Sequence, residues 1–298
     1  MNEIFDVLVI GGGFAGCSAA LSLSRSAMSV KLIDSNEPRN RYSSGLYSYL
    51  GMDRETLFSV RNKILKELEP YEVSIVEDRI VDVEFKIKNF YLTTADGALI
   101  RGRYLVLATG TLDVMPNLPG VESLWGRFVF NCLYCGAYEY KGQTIAIYGT
   151  GQGAYEDAIK AVTWAKEVVL YQSNSEEFTV EQLCRLKSAD VIIEKSIILS
   201  LAAGQDGGIE VTSEGARVRC VDVMFLRPKT VPRLDLASRL GCELDTEGYI
   251  KLDRFGRTSF ANLYVCGDAT GQLFQAIGAA ADGNKVARQV HHDSLFLT

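Results

Sequence analysis

Histidine is nearly missing from this chain. His291 and His292, side by side near the end, are the whole supply in 298 residues. A zinc site would need clustered His or a second pair of Cys, and neither is there. Cations are in deficit: 31 Lys and Arg against 37 Asp and Glu leave a formal charge of −6. That balance argues against nucleic acid and against an acidic membrane surface as partners. No apolar run is long enough to span a bilayer. Seven cysteines, an odd number without regular spacing, do not make a secreted disulfide framework. Met1–Asp6 leads straight into a strand and leaves no room for a signal peptide, so the expected compartment is the cytoplasm. Low-complexity segments and short repeats are absent. Present instead is enough apolar residue, 47 %, for one large α/β unit or two domains with real cores.

The stretch Asn131-Cys132-Leu133-Tyr134-Cys135-Gly136 holds the one close pair of thiols. Two intervening residues let both sulfurs lie within one turn of chain. Such spacing suits a reversible disulfide, half of a metal site, or two structural cysteines. Cys17, Cys184, Cys220, Cys242 and Cys266 are isolated from one another. The surroundings of the pair favour redox chemistry.

Asp6-Val7-Leu8-Val9-Ile10 is a short apolar run, expected as a buried parallel strand. Gly11-Gly12-Gly13-Phe14-Ala15-Gly16 follows, and a helix is expected over Cys17–Ser26. In this G-x-G-x-x-G, Gly11 allows the tight turn and Gly13 lets the backbone approach a pyrophosphate. Gly16 lets helix and strand pack closely, with the phosphates on the helix N-terminus. Val30–Ile33 reads as the second strand, and Asp34 at its end is placed to bond a ribose hydroxyl. Thr56–Leu68 has the spacing of a surface helix. Val73–Val76, Ile80–Phe85, Phe90–Thr94 and Arg101–Val106 are expected as strands of a small antiparallel layer, with Ala95-Asp96-Gly97 as a turn. Leu105–Gly110 ends an apolar strand in Thr-Gly, and Leu263–Asp268 ends one in Gly-Asp. Small residues at strand ends let a cofactor approach the backbone. A second fingerprint lies mid-chain: strand Thr144–Tyr148, then Gly149-Thr150-Gly151-Gln152-Gly153-Ala154, a helix over Ala154–Lys166 and a strand over Glu167–Tyr171.

Gly11–Gly16, Thr109-Gly110 and Gly267-Asp268 together resemble the FAD-binding half of the flavoproteins that carry two dinucleotide-binding domains. A nucleotide half with a Cys pair, inserted into that FAD half over roughly residues 5 to 290, resembles the low-molecular-weight thioredoxin reductases. The implied fold is α/β, two nested Rossmann-like domains: 1–116 with 245–298 for FAD, and 117–244 as the insert carrying Cys132 and Cys135. Pro38-Arg39-Asn40-Arg41, Gly45–Gly51 and Cys132-x-x-Cys135 before Tyr138-Glu139 are similar to one branch in particular. It contains thioredoxin reductases that do not use NADPH and oxidases that close disulfides in gliotoxin- and holomycin-type metabolites.

The resemblance implies FAD held by Gly11, Gly13, Phe14, Ala15, Gly16, Asp34, Ser35, Asn40, Arg41, Ile80, Ala108, Thr109, Gly110, Gly267, Asp268, Gln275 and Ala276. It places Cys135 against the flavin, exchanging electrons through a transient adduct. Cys132 then forms the mixed disulfide with substrate. It also implies a homodimer, a helix starting at Gln275-Ala276 that points its N-terminus at the flavin, and Phe296 as a ring able to stack there. The family's proton carrier, usually Asp in the reductases and His in the oxidases, follows the second Cys. Here that residue is Gly136, which leaves Tyr138, Glu139, His291 and His292 as candidates. The family's NADPH site has cations after its second strand. Tyr171-Gln172-Ser173-Asn174 and Glu176-Glu177 supply none, so the site is either a vestige or a weak binder through residues such as Lys166 or Arg185. The expected activity is reduction of a thioredoxin-like protein disulfide with ferredoxin or another donor, for which Arg39, Arg41 and Arg54 would form a basic patch. The alternatives are oxidation of a small dithiol by oxygen and a low-turnover flavin redox sensor.

Overall fold

The computed structural model describes residues 3–172, 177–271 and 274–297. They form two compact units: Met1–Arg41, Phe58–Leu112 and Thr230–Thr298 make the first, Tyr42–Leu57 and Asp113–Lys229 the second. The expected borders lay at 116/117 and 244/245. Residues 42–57, counted with the first half on sequence grounds, cluster with the second unit. Among the described residues no helix is long and apolar enough to cross a membrane.

In the first unit, strands β1 (Ile4–Ile10), β2 (Val30–Asp34), β3 (Ser74–Glu77), β4 (Ile80–Lys86), β5 (Asn89–Thr94) and β6 (Leu99–Leu107) form one sheet. Its order is β3-β2-β1-β6-β5-β4. β6 is long enough to serve two neighbours on one side. Leu99–Gly102 pair antiparallel with β5, and Leu105–Leu107 pair parallel with strand Leu263–Val265. The expected small antiparallel layer is therefore corrected. β3 pairs parallel with β2 as the edge of the main sheet, and only the β4–β5 hairpin and the start of β6 run antiparallel.

Alternation along β1 builds two cores. Leu8 and Ile10 face Phe90, Leu92 and Leu263 on one side. Val7 and Val9 face helix α1 (Phe14–Arg25) and the C-terminal helix Ala276–Phe296 on the other. Each such side chain contributes roughly 1.5–3 kcal/mol on burial. Helix α1 starts three residues earlier than expected, directly on the glycine turn. The C-terminal helix meets α1 so closely that a Cβ on Gly283 would lie 2.0 Å from the Ala15 carbonyl oxygen. Helix α2 (Leu57–Leu68) buries Val60 and Leu68.

The second unit has a five-stranded parallel sheet, in the order Ile192–Glu194, Glu167–Gln172, Thr144–Gly149, Val223–Leu226, Val129–Phe130. Helix Gly151–Ala161 follows the second glycine turn. It stops short of the expected Lys166, where the β-branched pair Val162-Thr163 leaves the helix. A three-stranded antiparallel sheet, Ile198–Ala203, Ile209–Ser213 and Arg217–Val221, completes the unit.

Candidate active site

The first glycine turn is built for close backbone approach. Gly11 has φ +107°, and a Cβ there would lie 2.2 Å from the Ala108 carbonyl oxygen. A Cβ on Gly16 would lie 1.8 Å from the Gly11 oxygen. Gly13 differs: nothing lies within 4 Å of where its Cβ would be. It is the N-cap of α1, makes no side-chain cap and has no acid in the turn that follows. The space beside the start of α1 is thus open, as a bound pyrophosphate needs. Gly267 closes on the same turn, since its Cβ would lie 2.6 Å from the Ala15 Cβ and 3.9 Å from that of Ala279. The fold therefore brings Gly11–Gly16, Ala108 and Gly267 together with the first turn of the C-terminal helix. A dinucleotide carrying a pyrophosphate fits this cradle.

Two carboxylates frame it, and each is held by an arginine. Asp34 Oδ2 accepts from Arg61 Nη2 at 2.9 Å. Asp268 Oδ2 accepts from Arg39 Nη1 at 3.1 Å, while the Arg39 guanidinium lies 4.7 Å from the Phe274 ring centroid. Arg61 was not singled out by sequence, because nothing local marks one cation on an amphipathic helix as the partner of an acid 27 residues away. Thr109 Oγ1 donates to the Arg233 carbonyl at 3.3 Å, and the Gly110 carbonyl accepts from the Arg233 N–H at 3.3 Å. Ser35 and Asn40 lie half-buried after β2; Arg41 is exposed and donates to the Pro38 carbonyl at 3.1 Å. Phe14 opens α1, and Gln275 is the N-cap ahead of Ala276. Ile80 is buried in the apolar cluster with Phe5 and Phe90.

His291 and His292 also belong to the first unit. His292 Nδ1 lies 3.2 Å from Asp293 Oδ1, and its ring lies 4.8 Å from the Phe296 ring. The C-terminal helix runs as far as Phe296. Within it Asp293 is almost wholly buried. It accepts from Arg257 Nε and Nη2 at 2.7 and 2.6 Å, from the Tyr264 hydroxyl at 2.6 Å and from Gln289 Nε2 at 2.8 Å.

In the second unit Cys132 and Cys135 are joined as a disulfide, their Cα atoms 5.2 Å apart. Buried Leu133 and Ala137 anchor the turn among Ile145, Leu170 and Phe225. Tyr134 and Tyr138 stay about 60 % exposed, and the Tyr134 ring meets Trp164 edge-on at 6.0 Å. Residues 42–57 fold onto this turn. Ser48 Oγ donates to the Tyr134 carbonyl at 3.2 Å, and Arg54 pairs with Glu139 at 3.3 Å with its guanidinium 5.7 Å from the Tyr138 ring centre. Gly136 has negative φ, and a Cβ there would make only ordinary contact with Phe225, at 3.9 Å. Packing does not demand glycine beside the pair.

The other thiols are poor rivals. Burial, and then the Asp34 charge, push the Cys17 thiol up to about 12. Burial raises Cys266 and Cys242 as well. Cys184 and Cys220 are exposed and unpaired with any other Cys. Among the described residues no group of three His, Cys, Asp or Glu side chains gathers as a metal site.

The second glycine turn borders a cavity of about 370 Å³, lined by Gly149, Thr150, Gly153, Ala154, Asp157 and Arg227 among others. Arg227 is its one lining cation among the described residues, and Asp157 holds it from both oxygens at 2.6 and 2.5 Å. Lys166 and Arg185 are exposed and do not line the cavity. Ser173, Asn174 and Glu176 lie outside the described residues.

Residues 5–283 match the model of the pyridine nucleotide-disulphide oxidoreductases. The chain belongs to that family. It is 29 % identical to thioredoxin reductase tcpT of Claviceps purpurea, over 99 % of this chain and 95 % of that one. With thioredoxin reductase of Listeria monocytogenes it shares 25 % identity, over 95 % and 91 %. The crystal structure of HlmI superposes with a TM-score of 0.92 at 28 % identity, covering 99 % of this chain and 94 % of that one. The protein is thus a flavin disulfide oxidoreductase of thioredoxin-reductase type, with the α/β fold read from its motifs.

Proposed function

We propose that the protein binds FAD in the first unit and passes two electrons between it and a disulfide or dithiol substrate through Cys132–Cys135, with a donor other than NADPH. The observation that carries this is the disulfide in a nucleotide-binding fold whose one cavity-lining cation among the described residues is already committed to Asp157. A 2′-phosphate needs a cation that is not neutralised. FAD, when bound, supplies the two-electron store that separates thiol exchange from the terminal donor or acceptor.

The protein's own residues do the rest. In the reducing direction the Cys132 thiolate attacks a substrate disulfide, one substrate thiol leaves with a proton, and the mixed disulfide forms. The Cys135 thiolate then attacks Cys132, releases the second substrate thiol and restores the Cys132–Cys135 bond. Two electrons and two protons return the pair to dithiol. Ferredoxin as donor needs a cationic landing site. Of the three arginines that would form it, Arg39 pairs with Asp268 and Arg54 with Glu139, while Arg41 is exposed. The reading as an oxidase of a small dithiol, with oxygen as acceptor, is favoured by the exposed Tyr134 and Tyr138 rings flanking the pair, which suit a compact apolar substrate.

The test is anaerobic titration of the purified flavoprotein with NADPH, NADH, reduced ferredoxin and dithiols, following loss of flavin colour. Bleaching by dithiol or ferredoxin is expected. Rapid bleaching by micromolar NADPH overturns the assignment of donor.

A further inference from the structure

We propose that Arg61 is a positioning residue for the adenosine half of the flavin cofactor: it fixes the Asp34 carboxylate over Gly12 so that one oxygen is presented to the ribose. The inference rests on FAD occupying the first unit.

Asp34 closes β2 and is buried. Its carboxylate lies flat on the glycine turn, and a Cβ on Gly12 would come within 2.4 Å of Oδ2 and 2.5 Å of Cγ. Gly12 is one of the motif's variable positions, so the dinucleotide fingerprint does not call for glycine there. Its lack of a side chain makes room for the acid. Arg61, in the second turn of α2, donates to Oδ2 at 2.9 Å. Oδ1 has no partner among the described residues.

Arg61 supplies the opposing charge and, by taking Oδ2, selects the rotamer in which Oδ1 is the oxygen left over. An acid at this point of a nucleotide fold accepts from the ribose 2′-hydroxyl. Arg61 itself need not touch the cofactor.

The bland account, in which the pair merely ties α2 to the sheet, makes a different forecast. The experiment compares FAD with its 2′-deoxyadenosine analogue, each titrated into deflavinated wild-type protein, Arg61→Gln and Arg61→Lys, with flavin fluorescence as readout. Wild type is expected to prefer FAD by on the order of ten-fold, as one charge-assisted hydrogen bond implies. Arg61→Gln is expected to bind FAD about ten-fold more weakly while binding the analogue nearly as before, so that the preference collapses. Arg61→Lys, which keeps the charge, should recover part of it. Equal weakening of both ligands, or an unchanged preference, overturns the proposal, as does a wild type that does not discriminate. A wild type with no affinity for either flavin refutes the cofactor reading instead.

Discussion

Replacing Asp293 with Asn tests how the C-terminal helix is held. Asp293 is 2 % exposed and takes hydrogen bonds from Arg257, Tyr264 and Gln289, with His292 beside it. Burial alone would raise its pKa. The bonds from Arg257, Tyr264, Gln289 and His292 outweigh that and hold the carboxyl well below the usual range. Asn keeps the shape and removes the charge, leaving the Arg257 guanidinium opposed by Asp253 alone. Breaking a buried pair from one side costs about 3–5 kcal/mol. Arg257 is 30 % exposed, so water recovers part of its charge and the lower end, about 3 kcal/mol, applies. For a chain of this size that is a fall in Tm of roughly 5–10 °C at pH 7. The pH dependence follows from the depressed pKa. The unfolded chain takes up the proton first, at about pH 4, so the contribution is complete above that pH and drains away below it. Differential scanning calorimetry of wild type and Asp293→Asn from pH 7 to pH 3 should show a gap that narrows as acid is added. A variant within about 1 °C of wild type at pH 7, or a gap that widens in acid, refutes the reasoning.

Three further outcomes are expected. Gly13→Ala should leave the thermal stability of the deflavinated protein unchanged, because the new methyl meets nothing within 4 Å, yet weaken FAD binding at least ten-fold by intruding on the pyrophosphate; equilibrium dialysis measures it. Native alkylation at pH 8 under non-reducing conditions should modify Cys184 and Cys220 and spare Cys17, Cys242 and Cys266, as peptide mass mapping would show. Gly136→Asp should fold normally, since Phe225 is 3.9 Å from the new Cβ. It should change the pH profile of kcat by placing an ionisable group beside the disulfide; an unaltered profile would mean that proton transfer there does not limit the rate.

Elements with strong local signals were legible in the sequence. Both glycine turns, the apolar strands feeding them and the Cys132–Cys135 turn stand where spacing placed them, because tight turns and buried runs are written in adjacent residues. β3 was misplaced for a physical reason: four residues carry no mark of whether their neighbour runs parallel or antiparallel. The ion pairs that organise the site join residues far apart, 27 positions for Arg61 to Asp34, 70 for Arg227 to Asp157 and 229 for Arg39 to Asp268. Such partners are chosen by tertiary packing, which one sequence does not spell out. The membership of residues 42–57 is of the same kind, resting on Ser48 and Arg54 meeting Tyr134 and Glu139.

That membership has a practical consequence for anyone cutting the gene. Neither unit is a contiguous stretch of polypeptide, since the backbone changes allegiance at 41/42, 57/58, 112/113 and 229/230. A clone covering only 113–229 would encode the cysteine loop stripped of the strap that folds over it. An excised fragment faithful to the native arrangement must carry Tyr42–Leu57 as well, spliced on or supplied as a peptide.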